Sequence, residues 1–137
     1  MDGRRQKNLI LIVARELASK LATAMFIADA EGDVVFYNEP AEEILGRTFA
    51  EAGELSAENW TSLFHPETLD GGPMALAEMP TGIALLEQKP AHDIFRITCL
   101  DGKKRVVSVT GVPLFAQADR FVGMLAVFWE LPEARES

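Results

Sequence analysis

The chain is poor in the residues on which several common classes of protein depend. It has one cysteine, Cys99, and 2 histidines among 137 residues. A single cysteine excludes an internal disulfide and fits a reducing compartment, which predicts a cytoplasmic location. The longest apolar run near the N-terminus is Leu9–Ala14. This is far below the roughly 20 residues that a membrane-spanning helix needs, so we expect no membrane span.

Positive charge is also scarce. The 13 lysines and arginines are outnumbered by 21 aspartates and glutamates, which gives a net charge of −8. Nucleic acids are bound chiefly through lysine and arginine, so the composition predicts no nucleic-acid binding. The one dense basic cluster is Arg4, Arg5 and Lys7. We interpret it first as a solvated terminal segment and second as a contact for nucleic acid or an anionic membrane.

The motifs of common catalytic and metal sites are missing. The sequence has no Gly-rich phosphate loop, no HExxH and no pair of closely spaced histidines or cysteines. The acidic residues between Glu39 and Glu58 favour a solvated surface over a pair of general acids. We therefore expect a protein that is not an enzyme and that holds no metal.

The hydrophobic periodicity predicts an α+β domain. Residues 8–23 have the spacing of an amphipathic helix. Two strands follow at Ala24–Asp29 and Val34–Asn38, and a short helix lies between Asn38 and Gly46. A longer helix is predicted at Thr81–Gln88. Three more strands are predicted at Asp93–Leu100, Arg105–Leu114 and Phe121–Glu130.

The last predicted strand is apolar on both faces, so both faces of the sheet must be covered there. We expect Leu125 to face the core, and Val122, Met124 and Phe128 to lie on the outer face. The N-terminal helix is the nearest apolar segment that could cover that outer face.

The order and spacing of these segments resemble those of a PAS domain. The matching segments are IADAEGDVVFYNEPAEEILG, LFHPE, MPTGIALLEQKP, DGKKRVVSVTGVPLF and RFVGMLAVFWE. The resemblance implies a five-stranded antiparallel sheet with helices on one face and a cavity between them. It also implies sensing or protein contact and only rarely catalysis. We divide the chain into a flanking, dimerising helix at 1–20, a PAS domain at 21–131 and a polar tail at 132–137.

The PAS geometry and the strand alternation predict the residues that line the cavity. They are Phe26, Ala28, Tyr37, Trp60, Phe64, Ile83, Leu86, Phe95, Val107, Val109 and Leu125. Because this lining is almost wholly apolar, either the ligand is apolar, such as a fatty acyl chain, or the core is simply filled.

No cofactor is predicted. Haem ligation by His65 is the less favoured alternative, because the histidine of haem-binding PAS domains usually lies on the longer helix, here Thr81–Gln88, which has none. The NCRFLQ-like motif of flavin-binding light sensors is absent.

Two apolar surfaces predict a homodimer. The predicted interface residues on the N-terminal helix and the outer sheet face are Leu9, Ile10, Val13, Leu17, Leu21, Val122, Met124 and Phe128. We therefore expect a signalling module that acts through protein–protein contact and homodimerisation on an unidentified effector. The alternative is a small-molecule sensor that binds an apolar ligand.

Overall fold

The computed structural model describes residues 3–48 and 56–132. Its helices are α1 (Gly3–Ser19), α2 (Glu39–Leu45), α3 (Ala57–Phe64) and α4 (Pro80–Leu86). Its strands are β1 (Ala24–Asp29), β2 (Val34–Tyr37), β3 (Ala91–Thr98), β4 (Lys104–Ala116) and β5 (Arg120–Leu131). Residues 49–55, within the acidic segment between Glu39 and Glu58, and most of the predicted tail at 132–137 lie outside the described residues. Within the described residues, no helix is long and apolar enough to span a membrane.

The strands form a single antiparallel sheet in the order β2-β1-β5-β4-β3. The chain therefore leaves β2 at one edge, crosses through helices α2 to α4, and re-enters the sheet at the opposite edge with β3. This five-stranded sheet with helices and an N-terminal helix confirms the predicted fold class.

Asn38 ties together the first three elements after α1. Its side-chain Oδ1 accepts hydrogen bonds from the backbone N–H of Met25 at 3.0 Å and of Ala41 at 3.2 Å. Its Nδ2 donates to the carbonyl of Thr23 at 2.9 Å. One buried side chain thus caps the N-terminus of α2 and fixes the start of β1 against the end of β2.

Helix α4 packs very closely against the inner face of the sheet. A Cβ at Gly111 of β4 would lie 2.5 Å from the carbonyl oxygen of Pro80, and a Cβ at Gly82 would lie 1.6 Å from that of Leu76. Glycine is therefore required at both positions, because a side chain at Gly111 would push α4 away from the sheet and one at Gly82 would clash with the backbone of Leu76.

Helix α1 covers the outer face of the sheet. Leu11 and Ala14 pack against a cluster centred on Met25 and Ile27 of β1. The guanidinium of Arg15 lies 4.8 Å from the centre of the Phe36 ring, where the two interact through a cation–π contact. The part of the outer face around Met25 and Ile27 is therefore buried within one chain.

The predicted orientation of β5 is wrong. Met124 and Ala126 pack with Ala84 of α4 on the inner face, and Phe128 belongs to the main core there. Leu125 lies on the outer face with the cluster beneath α1, and Val122 is fully buried where the β4–β5 register shifts. The sequence gives no contrast between the two faces because β5 is apolar on both. The register with β1, which pairs Ile27 with Leu125, decides the orientation.

Replacing Asn38 by Ala should lower the free energy of unfolding by about 2–4 kcal/mol, because the helix cap is lost and the backbone groups of Thr23 and of the buried Met25 lose their partners. Urea unfolding measures this loss. Asn59 is exposed on α3, so Asn59→Ala is the matched control and should change stability little. Equal stability of the two variants would contradict this role of Asn38.

Candidate functional site

An apolar cavity of about 60 Å³ lies between the inner face of the sheet and the helices. Its walls come from β1 to β5, from α2 to α4, and from the segment that follows α3. The lining residues are Phe26, Val34, Tyr37, Leu45, Trp60, Thr61, Phe64, Pro66, Met79, Thr81, Phe95, Ile97, Val107, Val109 and Phe128.

The structure brings together most of the residues predicted to line this cavity. These are Phe26, Tyr37, Trp60, Phe64, Phe95, Val107 and Val109. Ala28 also faces inward, but it packs against Ala84, Met124 and Ala126 beside the cavity. Whether any of these residues binds a ligand stays a prediction.

Three of the predicted residues do not line the cavity. Leu86 is 58% exposed. Ile83 is half-buried and does not line the cavity, and Leu125 lies on the outer face of the sheet. Helix α4 is shorter than predicted and presents Thr81, Ala84 and Leu85 to the interior. Small residues can face inward there because the helix approaches the sheet so closely at Gly111.

Several lining residues were missed by the sequence reasoning. Ile97 shares a face of β3 with Phe95, so the alternation of this strand is a signal that identifies it as a lining residue. Phe128 was assigned to the opposite face together with the rest of β5. The others are Val34, Leu45, Thr61, Pro66, Met79 and Thr81. Except for Thr61, which lies in the middle of α3, they lie at element ends or in loops, where periodicity carries no signal.

The polar groups of two aromatic wall residues are used to hold the wall together. The Tyr37 hydroxyl donates to the carbonyl of Arg47 at 2.9 Å, and Trp60 Nε1 donates to the carbonyl of Gly32 at 3.2 Å. The Trp60 and Phe128 rings make edge contacts with Phe26, at centre-to-centre distances of 5.6 and 6.0 Å. These contacts leave an aromatic wall without free donors at its centre.

His65 does not line the cavity. It ends α3 in the left-handed conformation, with φ of 44°, and it lies at a surface groove of about 350 Å³. Thr61 and Pro66 line both the groove and the cavity, so they form the partition between them. Glu67, which follows Pro66, is paired through its backbone with Arg96 at 2.9 Å in both directions.

Metal-ligating side chains are not clustered in the part of the chain that the structure describes, where no group of three histidine, cysteine or acidic residues could hold a metal ion. His92 instead places Nε2 2.7 Å from the hydroxyl of Ser108, one residue on β3 and the other on the neighbouring β4.

Arg105 makes several charged contacts at one end of the inner face of the sheet. It makes two hydrogen bonds to the Asp101 carboxylate, at 3.2 and 3.1 Å, and lies 3.5 Å from Glu130. The hydrogen bonds from Arg105 lower the pKa of Asp101 to about 2, and the same contacts raise the pKa of Arg105. Burial raises the pKa of the Cys99 thiol, which favours its neutral form.

The comparison with protein families decides the assignment of this fold. The family model of the PAS domain matches residues 22–130. The chain belongs to the PAS domain family. PAS domains are sensory and signalling modules, so the cavity and the two layers that flank the sheet are the parts of this PAS domain that bear on function.

Solved structures share the fold at low sequence identity. The PAS domain of a protein from Colwellia psychrerythraea superimposes with a TM-score of 0.62 at 17% identity, over 89% of this chain and 97% of that chain. The PAS domain of the fruit-fly ELK potassium channel gives 0.71 at 12% identity, over 88% and 96%. The Rhodobacter sphaeroides LOV protein gives 0.70 at 18% identity, over 91% and 69%. A comparison with curated proteins finds no match.

The Asp101–Arg105 contact predicts a pH dependence of stability. The pKa of Asp101 is lowered in the folded chain, so its ionised form stabilises the fold above about pH 4, and this contribution is lost as the pH falls towards about 2. In Asp101→Asn this part of the dependence should be absent. Thermal unfolding between these pH values tests it, with the exposed Asp70→Asn as control. A wild-type profile in Asp101→Asn would disprove the contact's contribution.

Proposed function

We propose that this PAS domain is a signalling module that acts through protein–protein contact, as a homodimer that regulates an effector. The observation that carries the proposal is the free side of α1. Leu11 and Ala14 on one side pack on the sheet. Four large apolar residues on the other side are 55–59% exposed: Leu9, Ile12, Val13 and Leu17.

The spacing of these four residues suits a paired helix. Leu9, Val13 and Leu17 follow one another at intervals of four residues and form one ridge, and Ile12 lies beside it. A second copy of α1 presents the same ridge, so twofold packing would bury both ridges at once. We call this set of four residues the α1 ridge.

The structure changes the membership of the predicted interface. Val122, Met124 and Phe128 are buried within the domain and cannot contact a partner. Ile10 is half-buried at the border of the ridge, and Leu21 is 39% exposed beyond the end of α1. The proposed interface is therefore the α1 ridge, with Ile10 and Leu21 at its margin.

An exposed ion pair marks the polar end of this side of α1. Lys20 Nζ lies 3.3 Å from Glu16 Oε1, and both side chains are well exposed. Glu16 is one helical turn beyond Ile12, so the apolar surface is concentrated towards Leu9 and Val13. A dimer contact centred there would leave this ion pair at its solvated rim.

A short path joins the cavity to the α1 layer. Phe128 of β5 lines the cavity, while its neighbour Val127 packs in the cluster beneath α1. Repacking of Phe128 would change the position of Val127, and this would change the position of α1 on the sheet. A ligand could drive this change only by binding one arrangement more tightly than the other.

The second candidate function is a small-molecule sensor with an apolar ligand, and the apolar lining supports it. A cavity of about 60 Å³ is, however, far smaller than the roughly 300–1,000 Å³ of typical ligand pockets. A fatty acyl chain would require the walls to separate, which favours protein contact as the first candidate. We also propose a non-catalytic role in the cytoplasm, where the single buried thiol of Cys99 would stay reduced.

Val13→Asp should weaken the dimer at least about tenfold, because a carboxylate in the centre of an apolar contact must lose its hydration. Sedimentation velocity at tens of micromolar measures the association, and circular dichroism checks that the variant folds. Leu69→Asp is the matched control, since Leu69 is 51% exposed in the loop after α3. A monomeric wild-type chain, or unchanged association of Val13→Asp, would rule out the α1 ridge as a dimer interface.

A further inference from the structure

Thr81 is the unusual residue of the cavity wall. It is 3% exposed, and its Oγ1 is the one buried side-chain polar atom without a hydrogen-bond partner among the described residues. We propose that the cavity binds a small neutral molecule that is apolar except for one hydrogen-bonding group, and that the Thr81 hydroxyl anchors this group. The inference rests on the second candidate function, binding of a ligand in the cavity.

The backbone on both sides of Thr81 is closely packed, which limits the movement by which the hydroxyl could reach another partner. Pro80, which precedes it, is held against β4 so closely that a Cβ at Gly111 would be 2.5 Å from the Pro80 carbonyl oxygen. Gly82, which follows it, is pressed against the carbonyl of Leu76. A buried hydroxyl without a partner destabilises the folded state, so a ligand that supplies the missing hydrogen bond gains affinity at this point.

The remainder of the wall defines the chemistry of the ligand. No charged residue is among the described residues that line the cavity, so an ionic ligand would lie there without a counter-charge. The polar atoms of Tyr37 and Trp60 are bonded to backbone carbonyls. Thr61 also lines the cavity and is not without a partner, so Thr81 is the buried lining residue whose hydroxyl is unpartnered among the described residues. One unpartnered hydroxyl in a mostly apolar wall fits a neutral molecule with one hydroxyl or carbonyl oxygen.

The volume limits the size of the ligand. An engineered apolar cavity of about 150 Å³ binds benzene, whereas this one is about 60 Å³. The part of the ligand inside the cavity is thus restricted to a few heavy atoms. A longer chain would have to pass the partition of Thr61 and Pro66 into the groove beside His65. A short aliphatic alcohol, aldehyde or ketone meets all these conditions.

The test compares 1-propanol with 1-chloropropane, which has a similar shape but no hydroxyl. Binding is followed by the methyl NMR signals of Ile97, Val107 and Val109 in the wild type and in Thr81→Val, which keeps the branched shape and removes the hydroxyl. The ratio of propanol to chloropropane affinity should fall about fivefold in Thr81→Val, the equivalent of one hydrogen bond. Thr110→Val, on the outer face of β4, should leave this ratio unchanged.

Stability gives a second, independent readout. Because the Thr81 hydroxyl has no hydrogen-bond partner among the described residues, Thr81→Val should raise the thermal unfolding midpoint without any probe present. A lower midpoint would mean that the hydroxyl has a structural partner and would overturn the inference.

The outcomes separate this inference from the functions on which it rests. If both probes bind and Thr81→Val leaves their ratio unchanged, the cavity binds ligands but Thr81 is not the anchor. If neither probe shifts the wall methyls up to the solubility of 1-chloropropane, the sensor function falls together with the anchor. The dimer proposal is tested separately through Val13→Asp.

Discussion

The need to bury both faces of one sheet is the constraint on which the rest of the structure depends. β1 shows it most clearly, since Ile27 packs beneath α1 while Ala28 packs against the inner helices. β5 next to it repeats the pattern with Leu125 and Met124. Helix α1 supplies part of the layer on the outer side of the sheet, as α4 does on the inner side. Its free apolar ridge is then a surface fixed in place by the fold.

The parts of the fold that the sequence predicts well are those with local chemical signals. β1 has the predicted bounds, and α2 begins after Asn38 and ends before Gly46, which adopts a φ of 90°. Caps and turns depend on a few neighbouring residues, so one sequence is enough to find them. The orientation of β5 depends instead on its register with β1, which no residue within β5 records.

The sequence predicts the residues of the cavity wall best on strands in which apolar and polar residues alternate. Val107 and Val109 flank Ser108, so their common face could be recognised from the sequence. Ile83 and Leu86 were misplaced because the inward side of a seven-residue helix is set by its contact with Gly111 rather than by its own pattern. The missing partner of Thr81 leaves no trace in the sequence at all, since it depends on the position of every neighbouring donor and acceptor.

Two residues of the cavity wall are hydrogen-bonded to other parts of the domain, so a change in the cavity volume is expected to affect those parts. Trp60 is bonded to the β1–β2 turn at Gly32, and Tyr37 to the chain beyond α2 at Arg47. A close-packed interior transmits a change of volume instead of absorbing it. Under the proposals above, a ligand larger than the cavity would displace Phe128 or its neighbours, and β5 would carry that displacement to Val127 beneath α1. By thermodynamic linkage, a partner that favoured one position of α1 would then change the ligand affinity of the cavity by the same factor as the ligand changes the affinity for the partner.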